Sequence, residues 1–232
     1  MFERNQLEEI GGLKALRWGA TDEAAPQIVV FHGYGASAYD LFDLGRVLDP
    51  EQRMRWIFPQ GHLDLGQSMM MAGYAWFPID VMAAQEAIER SGGLKYADVR
   101  PKGLDEALDR SLKFLKAIHF DPNRDFLGGF SQGSMMCVEL QRKLPMGLKK
   151  LLLFSSSIVD VKGLEAEGTL FDGVEVFQSH GSYDEVLPLS GAEALRDSLS
   201  KLGANVEFRE FPGGHEIPMP ILQNCQKFLK VP

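Results

Sequence analysis

A Gly-x-Ser-x-Gly pentad at residues 129–133 is the feature that most constrains how this chain folds. The apolar run 125–130 predicts a short buried strand that leads into it, and the apolar spacing in 135–143 predicts a helix after it. A serine in such a sharp turn has a strained backbone that lifts its hydroxyl clear of the sheet, and the flanking glycines leave room for the turn. The helix behind Ser131 supplies unpaired N–H groups for an oxygen that becomes negative. The pentad therefore indicates acyl transfer.

The pentad also has a simpler interpretation as an inert glycine-rich turn. The presence of residues that could activate the serine decides between the two interpretations. A serine hydroxyl needs a base, usually a histidine that a carboxylate holds in one tautomer. Two histidines follow predicted strands: His215 in the loop 211–218, and His180 directly after the strand 174–178. The chain order associated with this turn is nucleophile, acid, base, which favours His215. His180 is then interpreted as a structural residue that braces its own loop, which also holds Asp184.

Asp184 lies between the candidate nucleophile Ser131 and the candidate base His215. It occupies a turn after a predicted strand, where an orienting carboxylate belongs. Asp160 and Asp172 in neighbouring loops are rival acids, and Asp184 can also be interpreted as a turn residue that satisfies its own backbone. The position in the chain favours Asp184.

The glycine-rich stretch 32–37 follows the predicted buried strand 28–31 and supplies a candidate oxyanion hole. Its glycines allow the backbone to turn inward, so that the N–H of Tyr34 can meet the N–H of Gln132, the residue after the nucleophile. A dinucleotide- or phosphate-binding loop is the alternative. However, the spacing His-Gly-x-Gly-x-Ser matches neither the G-x-G-x-x-G nor the Walker pattern. The two backbone amides would complete an acyl-transfer site.

Predicted strands and helices alternate along the chain, which indicates an α/β fold with a mostly parallel central sheet and helices on both faces. With 232 residues, 45% of them apolar and 24% charged, the chain suits a single domain over residues 1–232. The strands are predicted at 28–31, 56–58, 126–130, 151–154, 174–177 and 206–211, and the helices near 39–48, 102–119, 132–143, 190–202 and 217–230. In such a sheet ligands bind beyond the carboxyl ends of the strands, where the loops named above lie.

The net charge of −8, with no basic stripe to offset it, argues against nucleic acid and against a strongly anionic membrane surface as partners. The first ten residues hold no apolar core of a secretory signal, and no run of 18 apolar residues could span a bilayer. These features predict a cytoplasmic protein without integral membrane association. Cys137 and Cys225 are expected to be buried free thiols, and the sequence calls for neither a metal nor an organic cofactor.

Five segments in combination resemble the phospholipase/carboxylesterase family of α/β-hydrolases, which includes bacterial carboxylesterases and the acyl-protein thioesterases. The segments are GFSQG at 129–133, HGYGAS at 32–37, AWFP at 75–78, HGSYDEVLP at 180–188 and GGHEIP at 213–218, within a core of residues 27–230. The resemblance implies the α/β-hydrolase fold and serine hydrolase chemistry, with Ser131, Asp184 and His215 at the triad positions. A homodimer rests on family analogy alone.

Two departures from the family pattern leave the acyl and alcohol specificity open. Pro78 follows Trp76 and Phe77 where relatives commonly carry an acidic residue, and Ala36 and Ser37 stand where many carry an acidic residue behind the oxyanion loop. Neither departure involves the triad. The reaction type therefore transfers more securely than the substrate.

The segment 60–79 is the candidate for substrate specificity, because it is rich in soft and aromatic side chains. Methionines adapt to irregular apolar groups, and large rings supply hydrophobic walls. Met70, Trp76 and Phe77 are therefore predicted to flank an acyl chain at the mouth of the site. Ordinary core or loop packing is the alternative for the same residues.

The expected function is that of a serine carboxylesterase, which hydrolyses short- to medium-chain carboxylic esters through an acyl-enzyme. Its partner would be a small-molecule ester or acyl compound, with thioesters and lysophospholipids as further substrate classes. An acyl-protein thioesterase, a lactonase or a peptidase would use the same triad. A hydrolase-fold binding protein that has lost activity is the remaining alternative.

Overall fold

The computed structural model describes residues 4–67, 72–79, 100–144, 147–166, 168 and 170–229. The strands in these residues are β1 Arg4–Ile10, β2 Leu13–Gly19, β3 Gln27–Phe31, β4 Arg55–Pro59, β5 Leu63–Gln67, β6 Ala72–Ala75, β7 Phe126–Phe130, β8 Lys150–Phe154, β9 Glu175–Gly181 and β10 Asn205–Phe211. The helices are α1 Asp43–Leu48, α2 Leu104–Ala117, α3 Gln132–Gln141, α4 Val161–Glu165, α5 Leu189–Lys201 and α6 Met219–Leu229.

The central sheet has the strand order β1-β2-β4-β3-β7-β8-β9-β10. From β4 to β10 every neighbouring pair is parallel, whereas β2 runs antiparallel to both β1 and β4. Parallel neighbours need a crossover, and α3 connects β7 to β8 while α5 connects β9 to β10. Strands β5 and β6 pair separately as an antiparallel hairpin. The predicted mostly parallel sheet is confirmed.

The core has two layers because successive side chains of each strand point to opposite faces of the sheet. In β8, Leu151 and Leu153 pack on the face covered by α2, α3 and α5, while Leu152 and Phe154 pack on the face covered by α1 and α6. Both faces of the central strands are therefore buried, which explains why these strands are almost continuously apolar in sequence. The predicted helices on both faces are confirmed.

The first two strands extend the core beyond the range 27–230 that the resemblance implied. Strands β1 and β2 join one edge of the sheet through a tight turn, in which Gly11 and Gly12 adopt positive φ angles of 57° and 87°. Leu16 is fully buried and Trp18 is 7% exposed. Charged residues alternate with apolar ones in this segment, so its strands lack the continuous apolar run that identified the central strands.

The parallel strands place the candidate functional loops at one edge of the sheet. The carboxyl ends of β3, β7, β9 and β10 lead directly into the stretches that hold the oxyanion glycines, Ser131, Asp184 and His215, in that order. Because parallel neighbours share one direction, these four ends meet at the same edge. The fold thus brings together residues that are far apart in the chain.

Candidate active site

Ser131 occupies a strained turn between β7 and α3. Its backbone has φ 54° and ψ −120°, a conformation that non-glycine residues rarely adopt. A Cβ atom on Gly129 would overlap the backbone of Gly133, and a Cβ atom on Gly133 would overlap the carbonyl of Phe31 in β3. Both glycines of the pentad are therefore required by close backbone approach, as the sequence pattern predicted.

Hydrogen bonds to the end of β8 hold the strained turn. The N–H of Ser131 donates to the Phe154 carbonyl at 2.9 Å. The hydroxyl of Ser134 lies 2.9 Å from the same carbonyl and is also within hydrogen-bond distance of the Gly129 carbonyl, so the two acceptors share its one hydrogen. Ser131 itself keeps 9% of its surface exposed, whereas Gln132 and Ser134 are buried. Ser131 is thus more accessible than the two polar residues that follow it in the turn.

Asp184 and His215 form a hydrogen-bonded pair. Nδ1 of His215 donates to Oδ2 of Asp184 at 2.7 Å, although the two residues come from different loops. The other carboxylate oxygen, Oδ1, accepts the N–H groups of Val186 at 2.9 Å and Leu187 at 2.8 Å. These two amides fix the carboxylate plane, so that Oδ2 faces the imidazole. The structure therefore brings together the acid and base that the sequence predicted.

The pKa of Asp184 lies below its usual value, although burial acts in the opposite direction. Burial would raise the pKa of this carboxyl, but the hydrogen bonds from His215 and the Leu187 N–H stabilise the charged form and outweigh it. Asp184 is therefore ionised near neutral pH. An ionised carboxylate can orient an imidazole and stabilise its protonated form.

The rival acids lie elsewhere. Oδ2 of Asp160 accepts hydrogen bonds from Arg100 and Arg142, at 3.0 Å each, in an ionic cluster with the buried Glu139. Asp172 lies in the turn before β9, at the opposite end of that strand from the loop of Asp184. Neither residue has a hydrogen bond to a histidine in the part of the chain that the structure describes. The geometry distinguishes Asp184 from both.

The His215 ring packs against Phe130, the residue that precedes the candidate nucleophile Ser131. The ring centroids of His215 and Phe130 are 4.8 Å apart, with an angle of 51° between their planes. The hydroxyl of Ser155, after β8, donates to the carbonyl of Glu216 at 3.2 Å and ties the histidine loop to the sheet. Among the described residues no hydrogen bond joins the Ser131 hydroxyl to His215, and such contacts often tighten only in a substrate complex.

The predicted oxyanion loop lies beside the nucleophile. A Cβ atom on Gly33 would lie 3.3 Å from the Cβ of Ser131. The loop is joined to β6, since the N–H of Gly35 donates to the carbonyl of Tyr74 at 3.0 Å and the N–H of Tyr74 donates to the carbonyl of Ala36 at 2.9 Å. Within the described ranges, the N–H of Tyr34 makes no backbone hydrogen bond and remains available to a ligand oxygen.

The side chain of Gln132 has a role that the sequence reasoning missed. Its Oε1 accepts the N–H of Trp76 at 3.0 Å, and its Nε2 donates to the carbonyl of Phe77 at 2.7 Å. Gln132 is buried, so these bonds form in a low-dielectric environment. They connect the first residue of α3 to the segment after β6. The local sequence contains no signal for this clamp, because its partners lie 56 and 55 positions away.

The side chain of His32 joins the predicted oxyanion loop to Gly61. Its Nδ1–H donates to the carbonyl of Gly33 at 2.7 Å, and its Nε2 accepts the N–H of Gly61 at 2.9 Å. The indole N–H of Trp76 donates to the carbonyl of His32 at 2.8 Å. Burial lowers the pKa of His32 to about 4, although its hydrogen bond to Gly33 acts in the opposite direction. His32 is therefore neutral near pH 7, which is the form that these contacts require.

Of the three predicted substrate-binding residues, the structure describes two, and both lie in the core. Met70 lies outside the described residues. Trp76 and Phe77 are 0% and 1% exposed, and they pack in the core on the face of α2 and α3. In this structure both rings support the site from within the core, and a substrate contact for any of the three stays a prediction.

Exposed apolar side chains near the triad were not singled out from the sequence. Tyr183 and Val186 flank Asp184 in the chain and are 71% and 55% exposed. Met219, four residues after His215, is 54% exposed. Tyr183 and Val186 come from the loop of Asp184, and Met219 begins the helix that follows the loop of His215, so these side chains are alternatives to the buried aromatics for contact with an apolar substrate.

The described residues also bear on cofactors, thiols and membranes. They contain no group of three or more His, Cys, Asp or Glu side chains that could hold a metal ion. Cys137 and Cys225 are buried and not disulfide-bonded, as predicted. Across the described ranges, no helix combines the length and apolar character that a bilayer crossing needs.

Known proteins resemble this chain over most of its length. A sequence profile of the Phospholipase/Carboxylesterase family matches residues 19–231. Acyl-protein thioesterase 1 of Eremothecium gossypii is 28% identical over 212 residues, which cover 87% of this chain and 86% of that protein.

Solved structures agree with the sequence relatives. The crystal structure of esterase PE8 has a TM-score of 0.72 at 29% identity and covers 94% of this chain and 98% of its own. A carboxylesterase from Mesorhizobium loti has a TM-score of 0.74 at 19% identity and covers 97% of each chain, which supports the fold. The expected α/β-hydrolase fold and the expected class of ester hydrolase are confirmed. This chain belongs to the phospholipase/carboxylesterase family of α/β-hydrolases.

Proposed function

We propose that this protein is a serine carboxylesterase that hydrolyses short- to medium-chain carboxylic esters, with Ser131, His215 and Asp184 as its catalytic triad. The observation that carries the proposal is the 2.7 Å hydrogen bond from His215 to Asp184, beside a serine with a strained backbone. Serine nucleophiles are activated by a histidine that a carboxylate orients. The family match supports the same chemistry.

The first half of the reaction is acylation of Ser131. The hydroxyl oxygen attacks the ester carbonyl while Nε2 of His215 accepts its proton, and Asp184 stabilises the imidazolium through Nδ1. The N–H groups of Tyr34 and Gln132 donate to the oxyanion of the tetrahedral intermediate. When this intermediate collapses, the histidine returns the proton to the departing alcohol, and the acyl group remains on Ser131.

The second half of the reaction restores the enzyme. Water attacks the acyl-enzyme while His215 accepts its proton, and the carboxylic acid leaves as Ser131 regains a proton. The same two backbone amides stabilise the second oxyanion. Neither step requires a metal or an organic cofactor.

A thioester substrate is the second candidate, and the relative from Eremothecium gossypii favours it. The triad would attack a thioester carbonyl in the same way, with a thiol as the leaving group. An ester and a thioester with the same acyl chain separate the two functions. A kcat/KM about tenfold or more higher for the thioester would assign the protein to the thioesterases.

The surroundings of the enzyme are part of the proposal. We place the protein in the cytoplasm as one domain over residues 1–232, and family analogy suggests a homodimer. The buried, unbridged thiols of Cys137 and Cys225 support a reducing compartment. Subcellular fractionation tests the compartment, and light scattering of the purified protein tests the assembly.

The experiment that tests the proposed function is hydrolysis of p-nitrophenyl esters from acetate to palmitate by three proteins. We expect the wild type to be most active on short or medium chains, and Ser131→Ala to lose about 10⁴-fold or more of kcat. Ser200→Ala, at an exposed serine of α5, is the matched control and should equal the wild type. Activity that survives in Ser131→Ala would place the nucleophile elsewhere.

A further inference from the structure

Asp184 has a second histidine neighbour that the proposed mechanism does not use. Nε2 of His180 lies 3.3 Å from Oδ2 of Asp184, the same oxygen that accepts the hydrogen bond from His215. His180 is the penultimate residue of β9 and is fully buried. Two imidazoles from different parts of the chain therefore converge on one carboxylate oxygen.

The contacts of His180 define which ring nitrogen carries its hydrogen. Nε2 also lies 2.8 Å from the carbonyl oxygen of Leu187. Both neighbours of Nε2, this carbonyl and the Asp184 carboxylate, are acceptors, so Nε2 must be the donor. Nδ1 is buried and has no hydrogen-bond partner among the described residues. His180 thus needs only one ring hydrogen, the one on Nε2.

The charge of His180 follows from its surroundings. Burial lowers the pKa of His180, while its hydrogen bond to Leu187 and the charge of Asp184 act in the opposite direction. The net effect favours the neutral ring near pH 7. A permanent cation at this position would compete with the imidazolium of His215 for Asp184. A neutral N–H can instead help to orient Asp184 without cancelling the charge of its carboxylate.

We propose that His180 is a positioning residue of the triad: its neutral Nε2–H donates to the Leu187 carbonyl and lies 3.3 Å from Oδ2 of Asp184, which keeps this carboxylate aimed at His215. The inference rests on the proposed function, because it assigns His180 a role only through the triad. The carboxylate accepts the Val186 and Leu187 amides on Oδ1 and the His215 imidazole on Oδ2, and His180 adds a tie from β9 to the carbonyl of Leu187 beside it. Removal of the His180 donor releases the Leu187 carbonyl from β9, so that the loop carrying Asp184 and its two amide donors can shift relative to His215.

The test compares three variants by steady-state kinetics on the best p-nitrophenyl ester. His180→Phe keeps a planar ring but has no donor, and His180→Gln can place an amide N–H near the position of Nε2. The matched control is His119→Asn, at an exposed histidine with a φ of 53° that asparagine tolerates. Circular dichroism establishes that each variant is folded.

We expect His180→Phe to lower kcat about 10- to 100-fold with KM within about twofold, since a misplaced catalytic group slows chemistry more than binding. His180→Gln should recover most of this loss, and the control should equal the wild type. The deshielded proton resonance of Nδ1–H in His215 should move upfield in His180→Phe and stay in place in His180→Gln. If His180→Phe does not fold, His180→Asn replaces it, because its shorter amide does not reach Asp184.

Two results would overturn the inference. One is a kcat for His180→Phe within about twofold of the wild type. The other is an equal loss of kcat in the Phe and Gln variants, with the Nδ1–H resonance of His215 unchanged in both. This result would mean that His180 acts only through packing. Ser131→Ala, assayed in parallel, separates the two proposals. If it stays active, the proposed function fails, whereas an inactive Ser131→Ala beside a fully active His180→Phe rejects only the role of His180.

Discussion

The nucleophile half and the acid–base half of the site are held in place by different kinds of interaction. Around Ser131, steric exclusion dominates: the turn fits only because Gly129 and Gly133 have no side chain, and the supporting Gln132 and His32 are buried. Around Asp184, polar contacts dominate, and the adjoining side chains of the loop are largely exposed. The first half depends on close backbone packing, and the second depends on hydrogen bonds within a loop whose neighbouring side chains reach solvent.

This difference separates folding from catalysis. A close-packed region responds to an added atom by losing stability, because its neighbours cannot move away. A loop held by hydrogen bonds can lose a catalytic contact and keep most of its stability, provided that the remaining bonds are preserved. We therefore expect substitutions in the nucleophile half to affect stability and activity together, and substitutions in the acid–base half to affect mainly activity.

Asp184→Asn gives the largest expected effect, and it is confined to activity. The asparagine Oδ1 can still accept the Val186 and Leu187 amides, but its NH₂ group would face His215 and disfavour the tautomer that can accept the serine proton. We expect kcat/KM on a p-nitrophenyl ester to fall about 10⁴-fold, with Tm changed by less than about 4 °C. A loss of less than tenfold would contradict the role of Asp184 as the orienting acid.

Gly133→Ala tests the opposite behaviour in the nucleophile half. The new methyl group would overlap the Phe31 carbonyl, so the turn or β3 must shift, and we expect a stability loss of about 3 kcal/mol or more. Gly128→Ala is the matched control one residue before the pentad, because its nearest contact is the Leu152 side chain at 3.3 Å and only a small adjustment is needed. Thermal unfolding measures both. Equal Tm values for the two variants would refute steric control of the turn.

Acid titration should reveal the contribution of the buried, neutral His32 in the nucleophile half. The folded protein keeps His32 neutral down to about pH 4, whereas the unfolded chain takes up a proton below about 6.5. Stability is therefore lost as the pH falls from about 6.5 to 4, by about 3 kcal/mol for this residue. Asp184 has a lowered pKa, so its contribution is present above its unfolded value and is lost at lower pH than that of His32.

Denaturant unfolding between pH 7 and 4 of the wild type and His32→Gln measures the contribution of His32. The pKa values of His62 and His180 are also lowered by burial, so the difference between the two proteins isolates His32. The variant should show a shallower decline in the free energy of unfolding. Parallel curves would mean that His32 is not the buried neutral residue described above.

Gln132→Leu gives the smallest expected effect. Leucine fills a similar volume but leaves the Trp76 amide and the Phe77 carbonyl without partners, at a cost of about 2 kcal/mol in stability. The start of α3 would also be less firmly placed, and we expect kcat to fall about tenfold. Loss of stability with unchanged kcat would show that the clamp serves folding alone.

The features that depend on local sequence patterns were predicted from the sequence. Strands such as Leu151–Phe154 are continuous apolar runs, and the glycines of the pentad indicate a tight turn on steric grounds. Both were therefore predicted within a residue or two. Asp184 and His215 were identified from chain order and family resemblance, and the fold then brings them to 2.7 Å. The sequence could not predict the distance between their side chains, because this distance depends on two parallel strands that are connected by a helix.

The remaining features depend on contacts between distant parts of the chain. The Gln132 clamp joins residues 56 positions apart, and the same residue type on a surface helix would have no such partner. His180 was predicted to brace a loop, but its approach to Asp184 follows from where β9 ends. The strands of residues 4–19 were missed because their charged residues interrupt the apolar pattern.

The measurement that tests the central claim most directly is covalent labelling with a p-nitrophenyl phosphonate, followed by intact and peptide mass spectrometry. A phosphonate reacts with a serine only where a base and an oxyanion hole activate it. The account predicts one adduct per chain, located on Ser131, that is absent in Ser131→Ala and forms much more slowly in Asp184→Asn. An adduct on another residue, or a wild type that stays unlabelled, would contradict the proposed triad.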